Sequence, residues 1–286
     1  MIPLRDTLRS RQFPIVTVSL IILNLLVFLY QGYLGTQASY RQDWSAERTE
    51  WLADGLEPPP IFSPYYPQAT RQIVTRSMPN TYDIGREEWF QMQYSLIPGE
   101  LLGGRDLPPL IALPLRLTLL TSMFMHGSIL HLLGNMLFLW IFGDNVEDAM
   151  GPARFLVFYL LCGLFAALAQ IAVGPASTVP MLGASGAIAG VLAAYFMLYP
   201  RARVITLVPL FFFLRLVALP AVFFLGLWFL LQVISGAGSL GRSGGVAFFA
   251  HIGGFIAGLF LVFPFRHKHV PVVLWRMIQS RRRPRI

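Results

Sequence analysis

The sequence predicts an all-α, polytopic membrane protein, a bundle of six transmembrane helices with a large extramembrane loop between the first and the second. Three observations predict it. Hydrophobic residues make up 55% of the 286-residue chain and charged residues 13%, and the mean hydropathy is +0.60, outside the balance of a soluble domain. Five apolar runs, at 14–33, 128–142, 155–173, 216–234 and 246–265, read as spans of a hydrocarbon core about 30 Å thick. Arg5, Arg9 and Arg11 precede the first run, while Arg266, Lys268, Arg276, Arg281, Arg282, Arg283 and Arg285 follow the last. The positive-inside rule then places both termini in the cytoplasm, which requires an even number of spans.

The sixth span is the stretch "LGASGAIAGVLAAYFMLYP", which Arg201 and Arg203 follow. Its apolar part, from Ser185 to Tyr199, measures only about 22 Å as a helix. With its lower end held by the arginines, its upper end must stop below the outer surface. Ser185 then heads a helix inside the membrane, where free backbone N–H groups and the positive end of the helix dipole face whatever lies above. Irregular backbone at that depth, here 174–184, is tolerated only where it lines protein or a water-filled cavity. A buried, hydrated cavity is implied.

The remaining segments follow from composition. The first run, flanked by arginine and lacking a small-residue cleavage site directly after it, reads as a retained span. Most of the acidic residues lie in 34–118, together with Pro58, Pro59 and Pro60 and with Trp51, Tyr65, Tyr66, Trp89 and Phe90, so this part is expected outside the membrane, partly folded or in contact with its surface. The run 110–128 is broken by Pro114 and Arg116 and is expected to be a partly inserted element leading into the second span. The stretch before the fifth span holds Pro209, Arg215 and Pro220, which leaves the start of that helix open. The single cysteine, Cys162, sits in an apolar run, which excludes an intramolecular disulfide and makes packing its default role. The net charge of +8 is concentrated beside the cytoplasmic ends of spans, where membrane lipid accounts for it and no nucleic-acid partner is expected.

Three groups of residues carry possible chemistry. Ser185, between Gly183 and Gly186, reads alone as a helix N-cap or a small residue in a packing face, and Ala187 stands where the nucleophile elbow G-x-S-x-G has its second glycine. His251, near the outer end of the last span, is an ionisable residue within a membrane segment and hence a functional candidate. Gly254 and Gly258 continue its helical face, and Gly186 and Gly190 form a matching small-residue groove on the Ser185 helix. Packed groove to groove, the two helices would bring the hydroxyl within reach of the imidazole, as nucleophile and general base. In "HGSILHLLGN", His131 and Asn135 share one helical face and offer donors for an oxyanion, as does the Ser185 N–H; interhelical hydrogen bonding is the alternative role. A zinc site from His126, His131 and His251 is disfavoured, because no H-E-x-x-H or nearby carboxylate accompanies them, and neither metal nor cofactor is expected. A transporter with a broken helix would show paired half-helices and intramembrane carboxylates, and neither is seen.

Taken together, "HGSILHLLGNMLFLWIFGDNVEDAMG", "GASGAIAG" and "AHIGGFIAG", in order on three spans, resemble the signatures of the rhomboid family of intramembrane serine proteases. The resemblance implies a rhomboid-like bundle in which Ser185 is the nucleophile, His251 the base, and His131 and Asn135 part of the oxyanion hole, with Gly183 framing the serine. It implies structural roles for His126, Glu147 and Gly151. Many relatives carry a Trp-Arg pair shortly before the second span; Leu117 and Thr118 stand there instead. The implied division is a tail and first helix in 1–33, an extramembrane insertion in 34–93, a protease core in 94–266 and a basic tail in 267–286. The implied activity is cleavage of transmembrane protein substrates, the alternative being an inactive relative that binds transmembrane helices. A bacterial-type inner or plasma membrane is the expected location, and the sequence is silent on oligomeric state.

Overall fold

The computed structural model describes residues 1–43, position 53, and residues 81–104, 114–210, 213–239 and 246–274. The expectations for Trp51, Pro58, Pro59, Pro60, Tyr65, Tyr66 and the arginines at 276–285 lie outside the described residues. The helices are α1 (Ile15–Gly35), α2 (Arg86–Tyr94), α3 (Pro98–Gly103), the short apolar α4 (Leu115–Phe124), α5 (Ile129–Met150), α6 (Pro152–Val173), α7 (Ser185–Leu198), α8 (Ala221–Ser239) and α9 (Phe248–Phe265). Five of them, α1, α5, α6, α8 and α9, are long and apolar enough to cross a membrane. With the shorter α7 they form a polytopic helical bundle.

α7 is the centre of that bundle: twelve of its fourteen residues are buried, against α5, α6, α8 and α9. Its alanines and glycines allow this. A Cβ on Gly254 of α9 would collide with the Gly186 carbonyl oxygen, and one on Gly258 with that of Gly190. On the other flank, a Cβ on Gly190 would meet Cβ and Sγ of Cys162 in α6. Backbones in such contact gain dispersion energy over their whole length, which is how helices associate where lipid tails are as apolar as leucine.

α1 carries its polarity on the inside. Thr17, Asn24 and Gln31, seven residues apart and therefore on one face, are fully buried, while Leu23, Leu26 and Leu29 are exposed. This inversion suits a helix with lipid on one side and protein on the other. At one end, Glu147 of α5 accepts from the Val16 N–H (2.9 Å), the Thr17 N–H (2.8 Å) and the Thr17 hydroxyl (2.8 Å). Pro14, the residue before α1, supplies no side-chain cap, so a carboxylate from another helix neutralises the free N–H groups and the positive dipole end.

The structure adds strands to the helical plan. β1 (Ile2–Asp6), β4 (Arg203–Leu210) and β5 (Phe213–Pro220) form an antiparallel sheet in the order β1-β4-β5. The fifth span therefore starts at Ala221, five residues after the Leu216 expected from hydropathy, because 213–220 pairs with 203–210 in a hairpin. The β-branched run Val204, Ile205, Thr206 is the local reason. Asp6 anchors β1 to the bundle by accepting from the Tyr195 hydroxyl and from Asn145 Nδ2 (3.2 Å). Burial holds the Asp6 carboxyl above the ordinary carboxylate range, against the opposing bond from Tyr195. β2 (Tyr40–Asp43) pairs with β3 (Thr81–Ile84), which ties the base of the insertion together, and α2 then packs on α1 with Phe90 edge-on to Tyr30 at 5.3 Å. α2 runs through the boundary expected at 93/94.

Glu147→Ala leaves a half-buried N–H on Val16 and the buried N–H and hydroxyl of Thr17 unpaired at the start of α1. The expected cost is about 2–4 kcal/mol, read as a lower apparent melting temperature of the purified protein, with Glu147→Gln milder because it keeps one acceptor.

Candidate active site

Ser185 is the first residue of α7 and His251 lies one turn into α9. The glycine contacts bring these helix ends together, and the imidazole Nε2 stands 2.8 Å from the Ser185 Oγ. On the other side of the ring, Nδ1 lies 2.8 Å from Oε1 of Gln232 on α8. Trp228, one turn earlier on α8, lies against the ring with centroids 5.9 Å apart. His251 is 9% exposed, so it meets solvent only at the cavity it borders.

That cavity has a volume of about 1050 Å³ and is lined by His131, Asn135, Ser185, Gln232 and His251, with apolar walls from α5, α7, α8 and α9 and the segment 174–182. No charged side chain lines it among the described residues. The irregular segment over α7 is tied by backbone bonds: Met181 exchanges both backbone bonds with Leu96, the Gly99 N–H donates to the Ser177 carbonyl, and the Gly183 N–H donates to the Ser122 carbonyl at 2.8 Å. Non-helical backbone at this depth is thus paired with Leu96, Gly99 and Ser122 on one side and borders the cavity on the other.

Gly183 has φ +127°, a conformation L side chains rarely adopt. A Cβ there would stand 2.8 Å from the His131 ring and 3.7 Å from the Ser185 Oγ. Glycine at this position therefore lets the imidazole of α5 approach the chain just before the serine. Asn135, one turn further along α5, is held from behind: its Nδ2 lies 2.9 Å from His126 Nε2 and donates to it, which leaves the His126 proton on Nδ1. His126 is fully buried, with its ring edge-on to His131 at 5.1 Å. Its backbone is fixed in turn by Gln31, whose amide donates to the His126 carbonyl (3.1 Å) and accepts from the His126 N–H (3.3 Å).

Of the residues singled out in the sequence, Ser185, His251, His131 and Asn135 meet at one cavity, with Gly183, Gly186, Gly190, Gly254 and Gly258 setting the approach of the backbones that carry them. His126 stands behind Asn135, and Glu147 lies at the far end of α5, capping α1. Gln232, Trp228 and Gln31 were not foreseen. Gln232 and Gln31 are polar residues in otherwise apolar runs, a signal shared with any residue that bonds one helix to another.

With a hydroxyl, an imidazole and several N–H donors in one recess, the arrangement is equipped for nucleophilic chemistry on a carbonyl. Comparison with known proteins places the molecule in a class. The Rhomboid domain matches residues 116–268, more than half of the chain, and the chain belongs to the rhomboid family of multi-pass membrane proteins. Among similar proteins is the Rhomboid protease GluP of Bacillus subtilis (strain 168), 43% identical over 76 residues, which are 27% of this chain and 14% of that protein. The human presenilin-associated rhomboid-like protein, mitochondrial, is 37% identical over 108 residues, 36% of this chain and 28% of that one. Rhomboid protein 1, mitochondrial, of Saccharomyces cerevisiae (strain ATCC 204508 / S288c) is 32% identical over 155 residues, 50% of this chain and 40% of that one. In each case the likeness spans less than half of the relative.

His126→Phe preserves ring bulk and leaves the Asn135 amide without its acceptor, at a cost of about 1–3 kcal/mol. In the double variant His126→Phe/Asn135→Leu no polar partner is stranded, so its loss in apparent melting temperature is expected to fall short of the sum of the single losses.

Proposed function

We propose that this protein is an intramembrane serine endopeptidase that cleaves other membrane proteins within or beside their transmembrane segments. The observation that carries the reading is the 2.8 Å contact between Ser185 Oγ and His251 Nε2 at the wall of a cavity with polar groups. Membership of a family that includes the protease GluP supports it.

In this reading His251 Nε2 takes the Ser185 proton as the oxygen attacks the scissile carbonyl carbon. The carbonyl π electrons move to oxygen, and donors from His131, Asn135 and the Ser185 N–H stabilise the oxyanion. Collapse of the tetrahedral state expels the amine, which takes the proton from His251, and leaves an acyl ester on Ser185. Water, deprotonated by His251, then hydrolyses the ester and restores the hydroxyl. The core of the enzyme is 94–266, with 34–93 as an extramembrane insertion and 267–286 as a basic tail. Both termini lie in the cytoplasm, and the membrane is of bacterial plasma-membrane type; the relatives' names point both ways, two being mitochondrial and one from Bacillus subtilis.

A serine-directed phosphonate is expected to label the wild-type protein, and neither Ser185→Ala nor His251→Ala, and both variants are expected to lose cleavage of a transmembrane substrate. Labelling that survives in Ser185→Ala would overturn the assignment, and a wild type that neither labels nor cleaves would instead be an inactive binder of transmembrane helices. A substrate helix keeps its carbonyls in internal hydrogen bonds and must unwind before one can be attacked. Glycine or proline introduced beside the cut should therefore raise the cleavage rate, since each weakens a helix by about 1–3 kcal/mol; time courses on paired substrates read this directly.

A further inference from the structure

We propose that Gln232 is a positioning residue that dictates which nitrogen of His251 carries the proton and thereby makes the imidazole a base toward Ser185. The proposal rests on the proteolytic reading above and adds a third member to its reacting unit, from a helix that carries neither the serine nor the histidine.

A neutral imidazole has one N–H and one lone pair, and its chemistry depends on which faces the nucleophile. The Gln232 atom 2.8 Å from Nδ1 is the amide oxygen, which accepts and cannot donate. The proton therefore sits on Nδ1, and the lone pair of Nε2 faces the Ser185 hydroxyl at 2.8 Å. In the other tautomer two lone pairs would oppose each other across the Gln232 contact, and Nε2–H would point at the serine and have no capacity to take its proton. When the proton is transferred, the positive charge on the ring meets the negative end of the Gln232 carbonyl dipole through Nδ1–H.

Among the described residues the surroundings offer no substitute. At this end of α9, α6 presents Gln170, whose Oε1 accepts from the Ala250 N–H at 3.2 Å, and α7 presents Ser185. α8 presents Gln232 and Trp228, and α5 contributes His131 across the cavity, the one other titratable group in its lining among the described residues. Among the described residues no carboxylate is in that lining to act as a third member. Trp228 and Gln232 are four apart, so one face of α8 holds the imidazole both on its face and at its edge.

The test uses the full-length protein, purified and returned to liposomes with a transmembrane substrate. Gln232→Met keeps the length of the side chain and removes the acceptor, while Gln232→Glu keeps the acceptor and adds charge. Gln232→Met is expected to lower kcat and the phosphonate labelling rate about 10- to 100-fold, with KM and apparent melting temperature near wild type. The acid limb of kcat/KM, where His251 becomes protonated, should move down in pH in Gln232→Met, because the imidazolium loses its acceptor, and up by about one unit in Gln232→Glu. A purely structural role would lower activity in step with melting temperature and leave the limb in place. Histidine 15N shifts give a readout independent of turnover: Nδ1–H in the wild type, and Nε2–H or a mixture in Gln232→Met. Wild-type kcat and an unmoved limb in Gln232→Met, or an Nε2–H tautomer in the wild type, would overturn the proposal. If the wild type shows no Ser185-dependent cleavage yet loses the Nδ1–H tautomer on Gln232→Met, the proteolytic reading fails while the control of the imidazole by Gln232 stands.

Discussion

The close approach of α7 and α9 is the constraint on which the rest of the molecule depends. Gly186 faces Gly254 and Gly190 faces Gly258 at a separation that leaves no room for a Cβ. Any larger residue at Gly254 or Gly258 would move the two helices apart, and a side chain at the head of one could no longer reach a ring one turn into the other. The hydrogen bond between Ser185 and His251 is thus a product of the backbone contact below it. A bundle in lipid lacks a hydrophobic drive between its helices, so small residues supply both the association and its registration.

Around that contact the polar groups form successive supports. Gln31 of α1 holds the backbone of His126, His126 holds Asn135, and Asn135 borders the cavity. At the opposite end, Glu147 of α5 caps α1, so α1 is secured to the bundle by polar bonds at both ends while its lipid-facing side stays apolar. α1 buries few apolar side chains, and these bonds largely account for its place in the structure. The same economy appears over α7, where Leu96, Gly99 and Ser122 take up backbone bonds that a bilayer could not satisfy.

Much of this plan was legible in the amino-acid order. Apolar runs and flanking arginines indicate the spans, and the mismatch between the Ser185 run and a bilayer points to a helix that begins in a recess. What was not legible has physical reasons. Gln232 is one amide in a leucine-rich helix, and no spacing links it to a histidine nineteen residues later on another helix. Thr17, Asn24 and Gln31 share a face, but the partners of Thr17 and Gln31 are brought in by the packing of α1 on α5 and on the loop before it, while Asn24 donates to the Leu20 carbonyl of its own helix. The 203–220 hairpin is apolar enough to pass for the lead-in to a helix, and strand pairing decided between the two.

The seat of Cys162 has a further use. It is the chain's one cysteine, fully buried, with its sulfur pressed against Gly190 of α7. Thiol reagents need a solvent-accessible thiolate, and here they would find none in the folded protein. The native chain is therefore a silent background for spectroscopy: a new cysteine placed on an exposed position would take up a fluorophore or spin label alone, without first stripping the natural residue from a site that has no space for a larger one.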